Sequence, residues 1–149
     1  MSAYLIDTNI ISYLEDFNSP FYNTLMDKMA SLEDSDTLCI SILSLYEFEY
    51  SMAHADKTLR EGLLKTKRTI KEIFQLLPLS IDGAEIFGNL KSTYQKSTGI
   101  SKKAINRHNV DLMLASAAIA ENAIMVSNDN IFQDLTKITP ELKYENWVK

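Results

Sequence analysis

Glycine and proline are scarce in this sequence, four and three residues among 149, and an all-β fold built on tight turns would need more of both. Cysteine is scarcer still. The lone Cys39 lies in the apolar run Leu38-Cys39-Ile40, so no disulfide can form within one chain, and it reads as a small buried hydrophobe in a reducing compartment. No apolar stretch approaches the roughly 18 residues of a membrane span, and the amino terminus lacks the cationic start of a signal peptide. The expectation is a soluble, cytoplasmic protein with no membrane partner. Repeats, low-complexity stretches and linkers are also missing, so residues 1–149 are expected to form a single domain with a substantial core.

The chain also lacks positive charge overall. Its net charge of −5 argues against a nucleic-acid partner, but the distribution does not. Residues 1–56 hold one Lys against ten acids, whereas residues 57–107 hold eleven Lys or Arg against four acids. Such a basic segment forms either a local phosphate-attracting surface or a set of solvated helix faces.

What is present is an alternation of short apolar runs and helical patterns. Ala3-Tyr4-Leu5-Ile6 reads as a buried strand ending in the capping turn Asp7-Thr8-Asn9, followed by a helix through Ile10, Ile11 and Leu14. Another helix is predicted from about Pro20 to Ser31, with the proline as its first residue. Leu38 to Leu43 forms a second strand, after which Ser44 caps a helix and Glu47 completes a capping box. A helix from about Asp56 to Phe74 carries Lys and Arg on its polar face, and Leu76 to Leu79 is a third strand candidate, weakened by Pro78. The next helix runs from about Asp82 to Ser97 and stops before Gly99. An alanine-rich helix opens near Asn109, Ile124-Met125-Val126 is a strand ending in Ser127-Asn128-Asp129, and Leu142 to Tyr144 is a short last strand. The pattern predicts an α/β fold, a three-layer α/β/α sandwich around a parallel sheet of four to five strands.

Ligands in such sheets bind beyond the carboxyl ends of the strands. Asp7 and Asp129 each follow a strand directly, Glu47 follows one by a turn, and Asp111 lies in the first turn of the alanine-rich helix. Each has a plain structural reading. Asp7 and Asp129 suit Asx turns or caps, Glu47 the capping box, and Asp111 the helix dipole. Only the set discriminates. Two carboxylates about 5 Å apart at an effective dielectric near 20 repel by roughly 3 kcal/mol, so a converging cluster shares protons or holds a cation. Oxygen ligands with no Cys or His nearby select Mg²⁺ or Mn²⁺ over Zn²⁺, and such an ion suits phosphodiester hydrolysis.

Four segments in order resemble the PIN domain family, in particular its VapC-type toxins of bacterial toxin–antitoxin pairs. They are Leu5-Ile6-Asp7-Thr8-Asn9, Glu47-Phe48-Glu49-Tyr50, the stretch from Asp111 to Ala118, and Val126-Ser127-Asn128-Asp129-Asn130-Ile131-Phe132. The resemblance implies an endoribonuclease with a Mg²⁺ or Mn²⁺ site, forming a homodimer and inhibited by a cognate antitoxin. It implies that Asp7, Glu47, Asp111 and Asp129 are the catalytic and metal-binding quartet, and that Asn9 and Ser127 are polar supports. Asp7 and Asp111 are the expected direct ligands; Glu47 and Asp129 act through water or complete a second metal position. Ser51 stands where many relatives carry Gly, and Ser127 where Thr is common. Residues 99–110 match no part of the pattern; Lys102, Lys103 and Arg107 there either bind RNA phosphates or belong to a solvated loop. His108, three residues before Asp111, reads as a surface residue or as a proton donor, and His54 has no site context.

Competing readings fare worse. A haloacid-dehalogenase-like phosphatase needs a second Asp where Asn9 stands, and a receiver domain needs an Asp where Glu47 stands. The remaining alternatives are an RNA-processing nuclease outside a toxin–antitoxin pair and a non-catalytic binding module, which need not keep four carboxylates.

Overall fold

The computed structural model describes residues 1–149. In chain order the elements are β1 (Ala3–Ile6), α1 (Thr8–Leu14), α2 (Tyr22–Ala30), β2 (Thr37–Ser41), α3 (Ile42–His54), α4 (Lys57–Ile73), β3 (Gln75–Leu77), α5 (Ile81–Thr98), α6 (Lys102–Ile105), α7 (Asn109–Ala120), β4 (Ile124–Val126), α8 (Asn130–Ile138) and β5 (Lys143–Glu145). The five strands form one parallel sheet in the order β3-β2-β1-β4-β5. Successive strand residues point to opposite faces, and that alternation builds two cores. Leu5, Cys39 and Met125 pack beneath α5, α7 and α8, in a cluster that includes Leu90, Leu114 and Phe132. Their neighbours Ile6, Ile40 and Val126 pack on the other face with Ile10, Leu25, Phe48 and Ile70 of α1 to α4. The result is a three-layer α/β/α sandwich. No helix is long and apolar enough to cross a membrane.

The chain starts in the centre of the sheet, builds outward to β2 and β3, then returns to add β4 and β5 on the other side. The order therefore reverses between β1 and β4, and a crevice opens beyond their carboxyl ends, where open α/β sheets place ligands. Asp7 follows β1 and Ser127 follows β4 at that point; the Asp7 amide donates to the Val126 carbonyl at 2.9 Å and extends the ladder.

Several boundaries depart from the sequence reading. Ser41, not Ser44, caps α3: its hydroxyl accepts from the Leu43 amide at 3.1 Å. There is thus no capping box, and Glu47 lies in the second turn without a capping duty. Pro20 belongs to the turn before α2, whose cap is Phe21. β3 stops at Leu77 because Pro78 has no amide to donate. Residues 102–108 are helical, a short α6 running through a 3-10 turn into α7. The basic segment is also divided, since α4 covers one face of the sheet while α5 and α6 cover the other. It does not make one continuous surface.

Candidate active site

Asp7 caps α1, its Oδ1 accepting from the Thr8 amide at 2.8 Å. Its other oxygen accepts from the Ser127 hydroxyl at 2.8 Å, a buried bond between residues 120 positions apart. The Ser127 oxygen in turn accepts from the Asp129 amide at 3.0 Å. Asp129 caps α8, accepting from the Ile131 amide at 3.2 Å. One hydroxyl thus links the ends of β1 and β4 and seats two of the acids. Tyr144 on β5 holds the same turn from outside, donating to the Ser127 carbonyl at 2.9 Å.

The other two acids come from helices on opposite faces of the sheet. Glu47 projects from α3 and Asp111 from the first turn of α7. Electrostatics records their convergence. Asp111 is pushed up to about 6, first by burial and then by the charges of Asp129, Asp7 and Glu47. Burial also raises Glu47, with Asp7 adding to it. Asp7 is raised chiefly by burial, against the lowering effect of its bonds from Ser127 and Thr8. Three carboxylates are thus held above their ordinary range, each sensing at least one of the others.

This donor set fits a hard divalent cation better than a soft one: it offers carboxylate oxygens, and the sole free Cys, Cys39, is buried in the core. No three acidic, His or Cys side chains are drawn close enough to enclose an ion without moving. Glu47 and Asp129 are the more exposed members of the set, and Asp129 is held by its bond to the Ile131 amide.

Of the expected supports, Ser127 makes the contacts described. Asn9 makes none: its Oδ1 is buried with no hydrogen-bond partner. His108 stands beside the cluster, Nδ1 4.0 Å from Asp111 Oδ2, with its ring against Tyr94. Lys102, Lys103 and Arg107 are exposed on α6 and the turn that leads into α7 and make no ion pair with the four acids. His54 stacks on Tyr50 at the far end of α3. Thr8 and Ser44, which the sequence suggested only as capping-turn and cap residues, also have buried hydroxyls without partners. Their only sequence signal is a position in the first turn of helices that carry the acids or follow them.

The chain is similar to known proteins along nearly its whole length. Residues 4–138 match the model of the PIN domain. Ribonuclease VapC2 of Rickettsia felis is 29% identical over 147 residues, 98% of either chain. A chain in the crystal structure of VapBC2 from Rickettsia felis, bound to a DNA fragment from their promoter, superposes with a TM-score of 0.72 at 26% identity, covering 97% of this chain and 98% of that one. A chain of VapBC-1 from nontypeable Haemophilus influenzae superposes at 0.75 with 20% identity over 99% of both, a likeness of fold.

Proposed function

The chain belongs to the PIN domain family, and we propose that it is a Mg²⁺- or Mn²⁺-dependent endoribonuclease, the toxin of a VapBC-type toxin–antitoxin pair. The observation that carries this reading is Asp111, raised to about 6 by burial and by the charges of the other three acids. Asp7 and Asp129 also serve as helix caps, but Glu47 and Asp111 cap no helix, and gathering their charges near the other two beside the switch point opposes folding. The ribonuclease named above, alike along nearly its whole length, supports the same reading.

Bound at the cluster, Mg²⁺ or Mn²⁺ would supply Lewis-acid polarisation of the phosphodiester and an activated water. The protein's own part is to hold and orient. Asp7, fixed by Thr8 and Ser127, and Asp111 offer the two best-seated carboxylates. Glu47 and Asp129, the more exposed pair, close from either side. Ser127 fixes one Asp7 oxygen through its hydrogen bond, and the unpartnered Asn9 amide oxygen has a hydrogen bond still to accept. Lys102, Lys103 and Arg107 are the exposed basic groups of the segment that leads into α7, and we assign them contacts with RNA phosphates.

The toxin role brings two protein partners, an antitoxin and a second copy. Likeness to a chain of VapBC2 supports the first. For the second, β3 is an open sheet edge, and Leu76, Leu79 and Ile81 near it are exposed, Ile81 by 85%. A homodimer would cover this edge.

Purified protein should cleave RNA with Mg²⁺ or Mn²⁺ and stop with EDTA. Asp7→Asn should reduce cleavage below detection; full activity of the pure variant would sink the assignment of the site. Expression without an antitoxin should arrest growth, and harmless expression of active protein would point to RNA processing instead.

A further inference from the structure

A cavity of about 370 Å³ lies between α1, α3 and α4, and Glu47 on its rim joins it to the acid cluster. Five residues with hydroxyls line it, Thr8, Ser12, Ser44, Ser51 and Thr66, together with apolar residues that include Ile40, Phe48 and Ile70. Three of the hydroxyls donate to their own helices: Ser12 to the Asn9 carbonyl, Ser51 to Glu47 and Thr66 to Gly62. Thr8 and Ser44 differ. Their hydroxyls are buried and unpartnered, and Ser44 is 0% exposed. A buried polar group without a partner costs about 1–3 kcal/mol, a cost that a bound group able to hydrogen-bond would remove.

We propose that this cavity is a base-binding subsite for the nucleotide flanking the scissile phosphodiester, with the Thr8 and Ser44 hydroxyls reading the base edge. The inference rests on the nuclease reading and adds to it a determinant of where RNA is cut. The volume falls within the roughly 300–1,000 Å³ of small-ligand sites, and single-stranded RNA is commonly read by bases splayed into protein pockets. Charge decides which part of the nucleotide enters. Glu15 and Glu47 both line the cavity; a carboxylate accepts from an amino group and offers a phosphate nothing unless a cation lies between them. The base enters, the phosphate stays at the acid cluster, and bases with an exocyclic amino group (adenine, cytosine, guanine) are preferred to uracil.

The test uses short single-stranded RNAs that differ only in the base beside the cut, with the full-length protein, Ser44→Ala and Thr66→Leu. Ser44→Ala removes an unpartnered hydroxyl without adding volume, so its Tm should hold or rise. Thr66→Leu fills the cavity from the wall opposite Glu47. Wild-type protein should prefer an amino-bearing base, and both variants should reduce that preference by about tenfold, mainly through KM. Both should keep the Tm shift that Mg²⁺ induces, which also reports that Thr66→Leu folds. A lower Tm for Ser44→Ala with an unchanged cleavage pattern would mean that the hydroxyl holds an internal water, and would overturn the proposal. So would a Thr66→Leu variant that cuts the same bonds at the same rate, including one that only loosens a protein partner. Absence of cleavage by wild-type protein defeats the nuclease reading alone. The cavity is then judged by titrating the four nucleoside 5′-monophosphates: amide shifts at Ser44 and Thr66 sustain it, and their absence overturns it.

Discussion

Ser127 serves both Asp7, to which it donates, and the Asp129 amide, from which it accepts. Its hydroxyl is 0% exposed, so neither contact has water as a ready substitute. Truncation to Ala strips the buried Asp7 carboxylate of one of its two hydrogen bonds, and the Asp7 pKa should rise further because the Ser127 bond is what most opposes burial. Ser127→Ala is expected to lose about 1–3 kcal/mol of stability and 10- to 100-fold in Mg²⁺ affinity. Ser127→Thr keeps the hydroxyl and should stay within about 1 kcal/mol and a few-fold of wild type. Chemical denaturation and a Tm titration against Mg²⁺ check the two effects separately; equal affinity in all three proteins would remove Ser127 from the site. Asp129 invites a similar separation, as both cap of α8 and member of the cluster. Asp129→Asn preserves a capping oxygen and removes charge, so it should hold stability while weakening metal binding. Asp129→Ala should also lose about 1 kcal/mol in the cap.

At the scale of elements, the ends of α3 show what the sequence could and could not reveal. Ser44-x-x-Glu47 has the spacing of a capping box, yet the helix starts three residues earlier on Ser41. Both serines follow the same apolar run, and only the length of β2, fixed by pairing with β1 and β3, decides between them. Ser41→Ala should therefore cost about 1–2 kcal/mol in thermal or denaturant unfolding and Ser44→Ala none. The reverse order would restore the capping box. Elements closed by a local signal were legible: Asp56 caps α4, and Gly99 ends α5 in the left-handed conformation at φ 68°. No helix is predicted at α8, although Asp129 suits a cap and Ile131, Phe132 and Leu135 are spaced for one buried face, because nine residues give only a short periodic signal. Asp7, Glu47 and Asp129 stand out in the sequence because each follows a strand directly or by a turn or so, and Asp111 because it opens the alanine-rich helix. The missing partners of Thr8 and Ser44 do not, because an unpartnered hydroxyl is a property of the assembled fold.

Over the whole molecule, the cluster acts as a stored electrostatic cost that protonation relieves and that a bound cation would relieve as well. Asp7, Glu47 and Asp111 all bind protons more tightly in the fold than in the unfolded chain, where such groups titrate near 4. Between about pH 4 and the value near 6 reached by Asp111, the native state therefore holds more protons than the unfolded one. Stability falls as pH rises through that window and stays at its lowest above it. Asp36 and Glu141 are shifted down by their hydrogen bonds, so their stabilising contribution is lost only below the ordinary carboxylate range. From pH 7 to pH 5 the metal-free protein should accordingly gain in Tm, against the common expectation that acid destabilises. Mg²⁺ competes with protons for the same oxygens and stabilises by mass action on the native state. Its Tm increment should be largest at pH 7 and shrink towards pH 5, where the carboxylates are increasingly protonated. Calorimetry at pH 5, 6 and 7, with EDTA and with millimolar Mg²⁺, decides the matter. A flat Tm without metal, or a metal increment that grows on acidification, would show that the four acids do not act as one group. In Asp111→Asn both trends should weaken together, since that substitution removes the carboxylate on which the other three charges converge.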